Sequence, residues 1–360
     1  MTSPAPRAPI DVPAAVRAGE ALDEAALVAY LRARGAISTD TITVAQFPRG
    51  FSNLTYLVVA GDDEFVLRRP PYGVGAGSAH DVLREFRILE SLGPVYPFAP
   101  RVRLACEDPA VLGAPFYLMD RVRGTILRDK PPAGMPLEAV VLRRLSERFI
   151  DVLADLHSLD VAAIGLAAIG RPEGYVQRQV DGWTRRYAAA STHDHPEVAQ
   201  SARWLADHVP DRFVAALVHN DFKYDNLVLD LGDPSRILAV LDWEMATVGD
   251  PLLDLGTALA YWVNANDPPL LRALGLGLTA LPGNLSRAEL VERYAEHRGG
   301  DPGDIVFAYV FGLFKVAVIA QQIYARYARG HTRDPRFASL HLAVGALGQA
   351  AARAIERQQV

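Results

Sequence analysis

The stretch from Leu217 to Asp242 constrains this chain more than any other. It opens Leu217-Val218-His219-Asn220-Asp221-Phe222-Lys223-Tyr224-Asp225-Asn226, and an apolar Leu227-Val228-Leu229 follows at once. A turn, Asp230-Leu231-Gly232-Asp233-Pro234-Ser235, leads to a second apolar run, Ile237–Leu241, closed by Asp242-Trp243-Glu244. Two short apolar runs joined by a turn rich in Asp, Gly and Pro read as a β-hairpin. Asp221 and Asn226 precede its first strand and Asp242 follows its second, so the pattern predicts that all three converge at one end.

An Asn and an Asp supply two oxygen donors of the kind that hold Mg²⁺ on nucleotide phosphates. A further carboxylate can accept the proton of an attacking hydroxyl. Kinases divide the work in this way, with a catalytic-loop Asp as base and an Asn and a later Asp on the metal. Their signature sets His two before that Asp and Asn five after it. His219, Asp221 and Asn226 keep both spacings. With the hairpin, Asp242-Trp243-Glu244 and the later Gly249-Asp250-Pro251-Leu252-Leu253-Asp254-Leu255, the chain resembles the aminoglycoside phosphotransferase family, relatives of the protein kinases. The resemblance runs from about residue 25 to about residue 345. Two segments, Gly174–Trp183 and Phe314–Arg326, resemble the branch of that family found fused to acyl-CoA dehydrogenases. The resemblance implies an α+β, protein-kinase-like, two-lobed fold with a five-stranded antiparallel small lobe and a mainly helical large lobe. Read without it, Asp221 and Asn226 are turn residues and Asp242 a strand-end cap.

Composition fits that expectation. The chain has 360 residues, half of them hydrophobic, enough for two lobes. The expected division is a disordered tail over 1–20, a nucleotide-binding lobe over 21–120 and a catalytic, acceptor-binding helical lobe over 121–360. A net charge of −5 without a polybasic run argues against a nucleic-acid partner. The single cysteine, Cys106, excludes an intramolecular disulfide, favours a reducing compartment, and reads as a small apolar filler. Met1–Pro13 lacks the apolar core of a signal peptide. Ile305–Ala320, the most apolar run, carries Lys315 and is short for a bilayer, so no membrane partner and a cytoplasmic location are expected. Only three of the 37 Lys and Arg residues are lysines: Lys130, Lys223 and Lys315.

In chain order, Asp23–Arg34 has helical character and stops at Gly35. Thr41–Phe47, Leu54–Ala60 and Glu64–Arg68 predict a three-stranded meander. Its first turn, Pro48–Asn53, stands where kinases carry a glycine-rich loop, and the resemblance gives Gly50, Ser52 and Asn53 to the ATP phosphates. Strand alternation puts Val66 and Arg68 on one face and Arg69 elsewhere. Arg68 fills the position of the kinase Lys that holds the α- and β-phosphates, with Val66 against the adenine. Gly73, Gly75 and Gly77 fail the dinucleotide-binding spacing, because Ser78 stands where its last Gly is needed. Ala79–Leu92 is an amphipathic helix on which Glu85 is expected to pair with Arg68; the alternative is a solvated Glu beside Arg84 and Arg87. Val102–Cys106 and Pro115–Asp120 complete the five strands. The hinge is expected at Tyr117–Asp120, with Tyr117 and Met119 at the adenine.

Leu137–Leu156 reads as a long helix. Lys223, two after Asp221, is placed to neutralise the transferring phosphoryl group. The resemblance makes His219 structural support beneath the loop. Asp250-Pro251 reads as a helix cap and first turn, and the resemblance adds a brace from Asp250 to the catalytic loop; Asp254 is expected to give structural support. The Arg-rich segments Arg121–Lys130 and Arg178–Arg186 hint at an acidic acceptor. The function expected is Mg²⁺-dependent transfer of the γ-phosphoryl group of ATP to a hydroxyl of a small molecule, with a hydroxy acid or hydroxyacyl-CoA ahead of an aminoglycoside. The alternative is a nucleotide-binding pseudokinase acting as a sensor or partner module. A dinucleotide-dependent oxidoreductase using Gly73–Gly77 is the weaker third reading.

Overall fold

The computed structural model describes residues 12–48, 53–71, 81–132, 134–135, 137–211, 213–274, 277–301 and 303–360. The chain divides into two compact units. The first takes 1–126, 132–135 and 227–246, and the second takes 127–131, 136–226 and 247–360.

The first unit is built on an antiparallel sheet of β1 (Thr43–Gln46), β2 (Leu54–Ala60), β3 (Asp63–Arg69), β4 (Val102–Cys106) and β5 (Phe116–Asp120), in the order β1-β2-β3-β5-β4. β2 and β3 pair along their full length, from Leu54 opposite Arg69 to Ala60 opposite Asp63. One face of the sheet buries Tyr56, Val58, Leu67, Phe116 and Leu118 in a core with Leu27 and Leu31 of α1 (Glu24–Ala33). Asp23 caps α1 by accepting from the Ala26 amide. α2 (Val82–Leu92) starts at the Asp81 cap and buries Val82, Ile88, Leu89, Leu92 and also Glu85. A single turn, α3 (Pro109–Leu112), separates β4 from β5. Cys106 ends β4 as a buried filler.

The expected hairpin is present as β7 (Leu227–Leu229) and β8 (Ile237–Val240), with Leu227 opposite Val240. It is fastened within the first unit at three places. Leu229 bridges to Thr125, the Val240 amide donates to the Phe98 carbonyl at 2.8 Å, and the Trp243 ring meets Tyr96 edge-on at 5.9 Å.

Three expectations need correction here. Residues 12–20 are not a loose tail. Ala14 pairs with Gln46 through two 2.8 Å backbone hydrogen bonds, and the Glu20 carbonyl accepts from the Tyr56 hydroxyl at 2.7 Å. The free edge of β1 supplies the partners that a Pro- and Ala-rich segment cannot make for itself. Residues 1–11, Gly50, Ser52 and the Gly73–Gly77 loop lie outside the described residues. The hinge does not begin at Tyr117. Tyr117 pairs with Arg68 and Ala105, and Met119 with Val66, so both are strand residues and β5 ends only at Asp120.

Among the described residues, the second unit holds a short ladder of β6 (Ala216–Val218) with β9 (Thr247–Gly249) and eight helices: α4 (Ala139–His157), α5 (Tyr175–Ala190), α6 (Pro196–Asp207), α7 (Pro251–Tyr261), α8 (Pro269–Arg272), α9 (Arg287–Arg298), α10 (Ile305–Ala328) and α11 (Leu340–Arg357). α10 packs against α5, α6, α7 and α11. It is the third correction. It runs for 24 residues and is long and apolar enough to cross a membrane, with 83% of its most apolar window buried in the protein. It crosses α7 where Gly256 faces Ala308 and Gly312 faces Gly256, so closely that a Cβ on either glycine would overlap backbone atoms of the other helix. Backbone atoms cannot swing aside as a side chain can. Gly256→Ala is therefore expected to lower stability by about 1–3 kcal/mol or more in urea denaturation, while Gly300→Ala, where a Cβ meets nothing within 4 Å, changes it little.

Candidate active site

Within the second unit, β6 delivers the chain into the loop 219–226. Asn220 takes a left-handed conformation with φ of 66°, one of three non-glycine residues to do so among those described. Asn tolerates this region better than most residues because its short side chain bonds locally. The loop rests on aromatic packing, with Phe149 4.8 Å from Phe222, 5.4 Å from Tyr224 and 4.9 Å from Trp262, measured between ring centroids.

The Asp221 carboxylate is held from two sides. Lys223 Nζ lies 2.9 and 2.8 Å from its two oxygens, and Asn226 Nδ2 donates to Oδ2 at 3.0 Å. The same Nδ2 donates to the Asp221 carbonyl at 2.8 Å, which leaves the Asn226 amide oxygen as its remaining acceptor. Lys223 also sits 4.7 Å from the Tyr261 ring centroid. Burial would lower the Lys223 pKa, but Tyr261 and Asp221 outweigh it and raise it, so the ammonium stays charged.

Beneath the loop, Asp254 of α7 is fully buried and makes three acceptor contacts. Its Oδ2 accepts from the His219 amide at 2.6 Å and lies 3.1 Å from His157 Nε2; its Oδ1 accepts from the Asn220 amide at 2.7 Å. Burial would raise the Asp254 pKa; the hydrogen bond and charge of His157, with His219, hold it below the ordinary carboxylate value. His157 Nδ1 meets the Tyr294 hydroxyl at 2.8 Å. His219 is buried and its Nδ1 accepts from the Asp221 amide at 3.2 Å. Asp250 caps α7 through the Leu252 amide, and the loop backbone is braced by Asp254, one turn further on. From the far side, Lys315 of α10 donates to the Asn220 carbonyl at 2.7 Å.

Within the first unit, Arg68 and Glu85 form an ion pair at 2.9 Å, with side-chain exposures of 10% and 1%. Arg68 also meets Asp242 at 3.3 Å and Glu244 at 3.4 Å. Burial would lower the Arg68 pKa; Glu85, Tyr117, Asp242 and Glu244 outweigh it and raise it. Burial raises that of Glu85 and the Arg68 charge opposes it. Asn53 donates to Glu244 at 3.1 Å. Val66 shares the Arg68 face of β3, and Arg69 turns away to donate to the Leu112 carbonyl at 2.8 Å. Asp242 is left-handed, with φ of 69°, at the start of the turn Trp243–Met245.

Among the described residues no group of three or more His, Cys, Asp or Glu is arranged to hold a metal alone. Mg²⁺ is commonly bound through one or two protein oxygens and completed by phosphates and water. The Asp242 side chain keeps 38% of its surface exposed although Arg68 shares one of its oxygens.

Several basic residues are otherwise engaged. Arg121 and Arg123 pair with Glu64 at 3.2 and 2.8 Å, and Arg178 donates to the carbonyls of Arg171 and Glu173. Sequence reasoning gave no role to His157, Tyr261 or Glu244, and saw Lys315 only as an interruption of an apolar run. The rarity of lysine was the available signal for Lys315.

Burial lowers the Lys315 pKa from 10.5 to about 8, opposed by Asp254 and Asp221 and reinforced by Lys223 and Arg186. The folded value lies below the unfolded one. The buried charge therefore penalises folding most below pH 8, by roughly 3 kcal/mol, and the penalty fades as pH rises from 8 to above 10.5. In urea denaturation the stability of Lys315→Met relative to the natural chain is expected to hold nearly level up to about pH 8 and to fall from there to pH 10.

The model of the Phosphotransferase enzyme family (APH) matches residues 43–290. Acyl-CoA dehydrogenase family member 10 of Mus musculus is 36% identical over 318 residues, covering 88% of this chain and 29% of that protein. Acyl-CoA dehydrogenase family member 11 of Gallus gallus is 37% identical over 299 residues, covering 81% and 37%. The chain thus spans about a third of the length of these curated relatives. The crystal structure of a candidate aminoglycoside phosphotransferase from Ralstonia eutropha JMP134 matches 92% of this chain and 99% of its own, with TM-score 0.78 and 28% identity. This chain belongs to the APH phosphotransferase enzyme family and carries its protein-kinase-like α+β fold.

Proposed function

We propose that the chain transfers the γ-phosphoryl group of ATP to a hydroxyl of a small molecule, with Asp221 as the base. The observation that carries this is the state of Asp221: a carboxylate held by Lys223 and Asn226 on a loop braced by Asp254. Asp221 orients the acceptor hydroxyl and takes its proton as the oxygen bonds to the γ-phosphorus and the bond to the β-phosphate oxygen breaks, releasing ADP. Lys223, bonded to both Asp221 oxygens, adds positive charge beside the transferring group. Asn226 and Asp242 would hold Mg²⁺, which when bound offsets phosphate charge. Arg68, oriented by Glu85, and Asn53 would face the phosphates, a role the sequence alone also gives Gly50 and Ser52, with the adenine at Val66 and along the Tyr117–Met119 strand. His219 and Asp250 support the loop and α7. Catalysis of this kind is chiefly positioning and charge stabilisation.

For the acceptor we place hydroxy acids and hydroxyacyl-CoA thioesters first, because the names of the relatives attach them to acyl-CoA chemistry. The basic segments lend little to this choice, since Arg121, Arg123 and Arg178 already have partners. One observation favours a second reading, a nucleotide-binding sensor: three carboxylates already surround Arg68.

The test is Mg²⁺-dependent ATP consumption with pooled hydroxy acids, hydroxyacyl-CoA thioesters and aminoglycosides. Turnover with one pool, falling roughly 10²–10⁴-fold in Asp221→Asn, is expected. Nucleotide-induced thermal stabilisation without turnover in any pool would favour the sensor, and no nucleotide effect at all would sink both readings. Asp242→Ala is expected to abolish the part of the nucleotide-induced Tm shift that depends on Mg²⁺.

A further inference from the structure

α10 is apolar along nearly its whole length, yet it buries one cation, Lys315, which is 2% exposed. A buried ammonium is expensive unless its hydrogen bonds are replaced. Lys315 has three N–H donors, and the bond it makes is to the Asn220 carbonyl at 2.7 Å, with the Trp183 ring 5.8 Å from Nζ. Lys315 is one of only three lysines among the 37 Lys and Arg residues of this chain.

The position of that carbonyl is informative. It belongs to the peptide bond that joins Asn220 to Asp221. The N–H of the same peptide donates to His219 Nδ1 at 3.2 Å, and the preceding N–H, that of Asn220, donates to Asp254 at 2.7 Å. The peptide plane ahead of Asp221 is thus gripped at both its oxygen and its hydrogen. Asn220 has φ of 66°, a conformation that must be held by its surroundings. Rotating this plane would swing the Asp221 Cα–Cβ bond and pull the carboxylate away from Lys223 and Asn226. A compact ammonium on an unbranched stem can reach a single carbonyl in a packed core, whereas a planar guanidinium needs more room and more acceptors.

We propose that Lys315 is a positioning residue for phosphoryl transfer, fixing the Asn220–Asp221 peptide so that the Asp221 carboxylate stays aimed at the acceptor hydroxyl. This rests on the reading of Asp221 as the base. Lys315 touches neither nucleotide nor acceptor. Its removal should slow turnover without weakening nucleotide binding.

The experiment uses the full chain and two readouts. In hydrogen–deuterium exchange of the protein alone, Lys315→Met is expected to speed exchange in peptides spanning 217–226 by about tenfold, with α7 and α10 peptides unchanged. In ATP turnover, kcat is expected to fall roughly 10²-fold with KM for ATP unchanged. Tm is expected at or above that of the natural chain, since a buried charge is removed, whereas a merely structural lysine would lower it. Lys315→Gln, uncharged but polar, serves if methionine is not tolerated, and should move both readouts the same way. Unchanged exchange at 217–226, or faster exchange with unaltered kcat, overturns the proposal. If Asp221→Asn turns over as fast as the natural chain while Lys315→Met still frees the loop, Asp221 is not the base, and Lys315 is left as a holder of the loop alone.

Discussion

The second unit depends on how one carboxylate is buried. Asp254 has no exposed surface, and its hydration is replaced by the His219 and Asn220 amides and by His157. Burying an ion costs several kcal/mol unless such bonds are all made. Two of the three donors are backbone groups of the loop that carries Asp221. The charge can therefore be accommodated only when the loop takes one shape, including the left-handed Asn220. Ion burial selects the conformation, and the aromatic packing of Phe149 against Phe222 supports the same loop.

The first unit has the converse problem. There the shared centre is a buried cation, Arg68, and three carboxylates gather round it. Glu85 has almost no exposure, while Asp242 keeps over a third of its side-chain surface exposed. Asp242 is thus the one of the three carboxylates with most contact with water. The same backbone device recurs: Asp242, like Asn220, is a short polar residue in a left-handed conformation beside a key contact.

Much of this could be read from the sequence because it is local. Alternation and turn chemistry gave β2, β3 and the β7–β8 hairpin, and Asp250-Pro251 announced a helix start, whereas the cap at Asp81 lies inside the helix expected from Ala79. What the sequence hid was tertiary. Asp250 and Asp254 stand four apart on one helix face, and only packing decides that the second meets the loop. Glu85 sits among polar residues, yet it is buried because Arg68 is. The register of β5 carries Tyr117 and Met119 into the sheet, and Glu64 engages two arginines that looked free. Lys315 seemed a blemish in an apolar helix until the carbonyl it serves came into view.

The contact between α7 and α10 has a mechanical consequence. Asp254 is two residues from Gly256, and Lys315 is three from Gly312, so both groups that grip Asn220 stand less than one helical turn from the glycine crossing. Most helix interfaces are cushioned by side chains that change rotamer and absorb small displacements. This one meets main chain to main chain. Asp254 and Lys315 are the jaws of a caliper whose opening is set by van der Waals contact between two backbones, so side-chain changes in the surrounding core can loosen or tighten the rest of the unit with little change in its gauge.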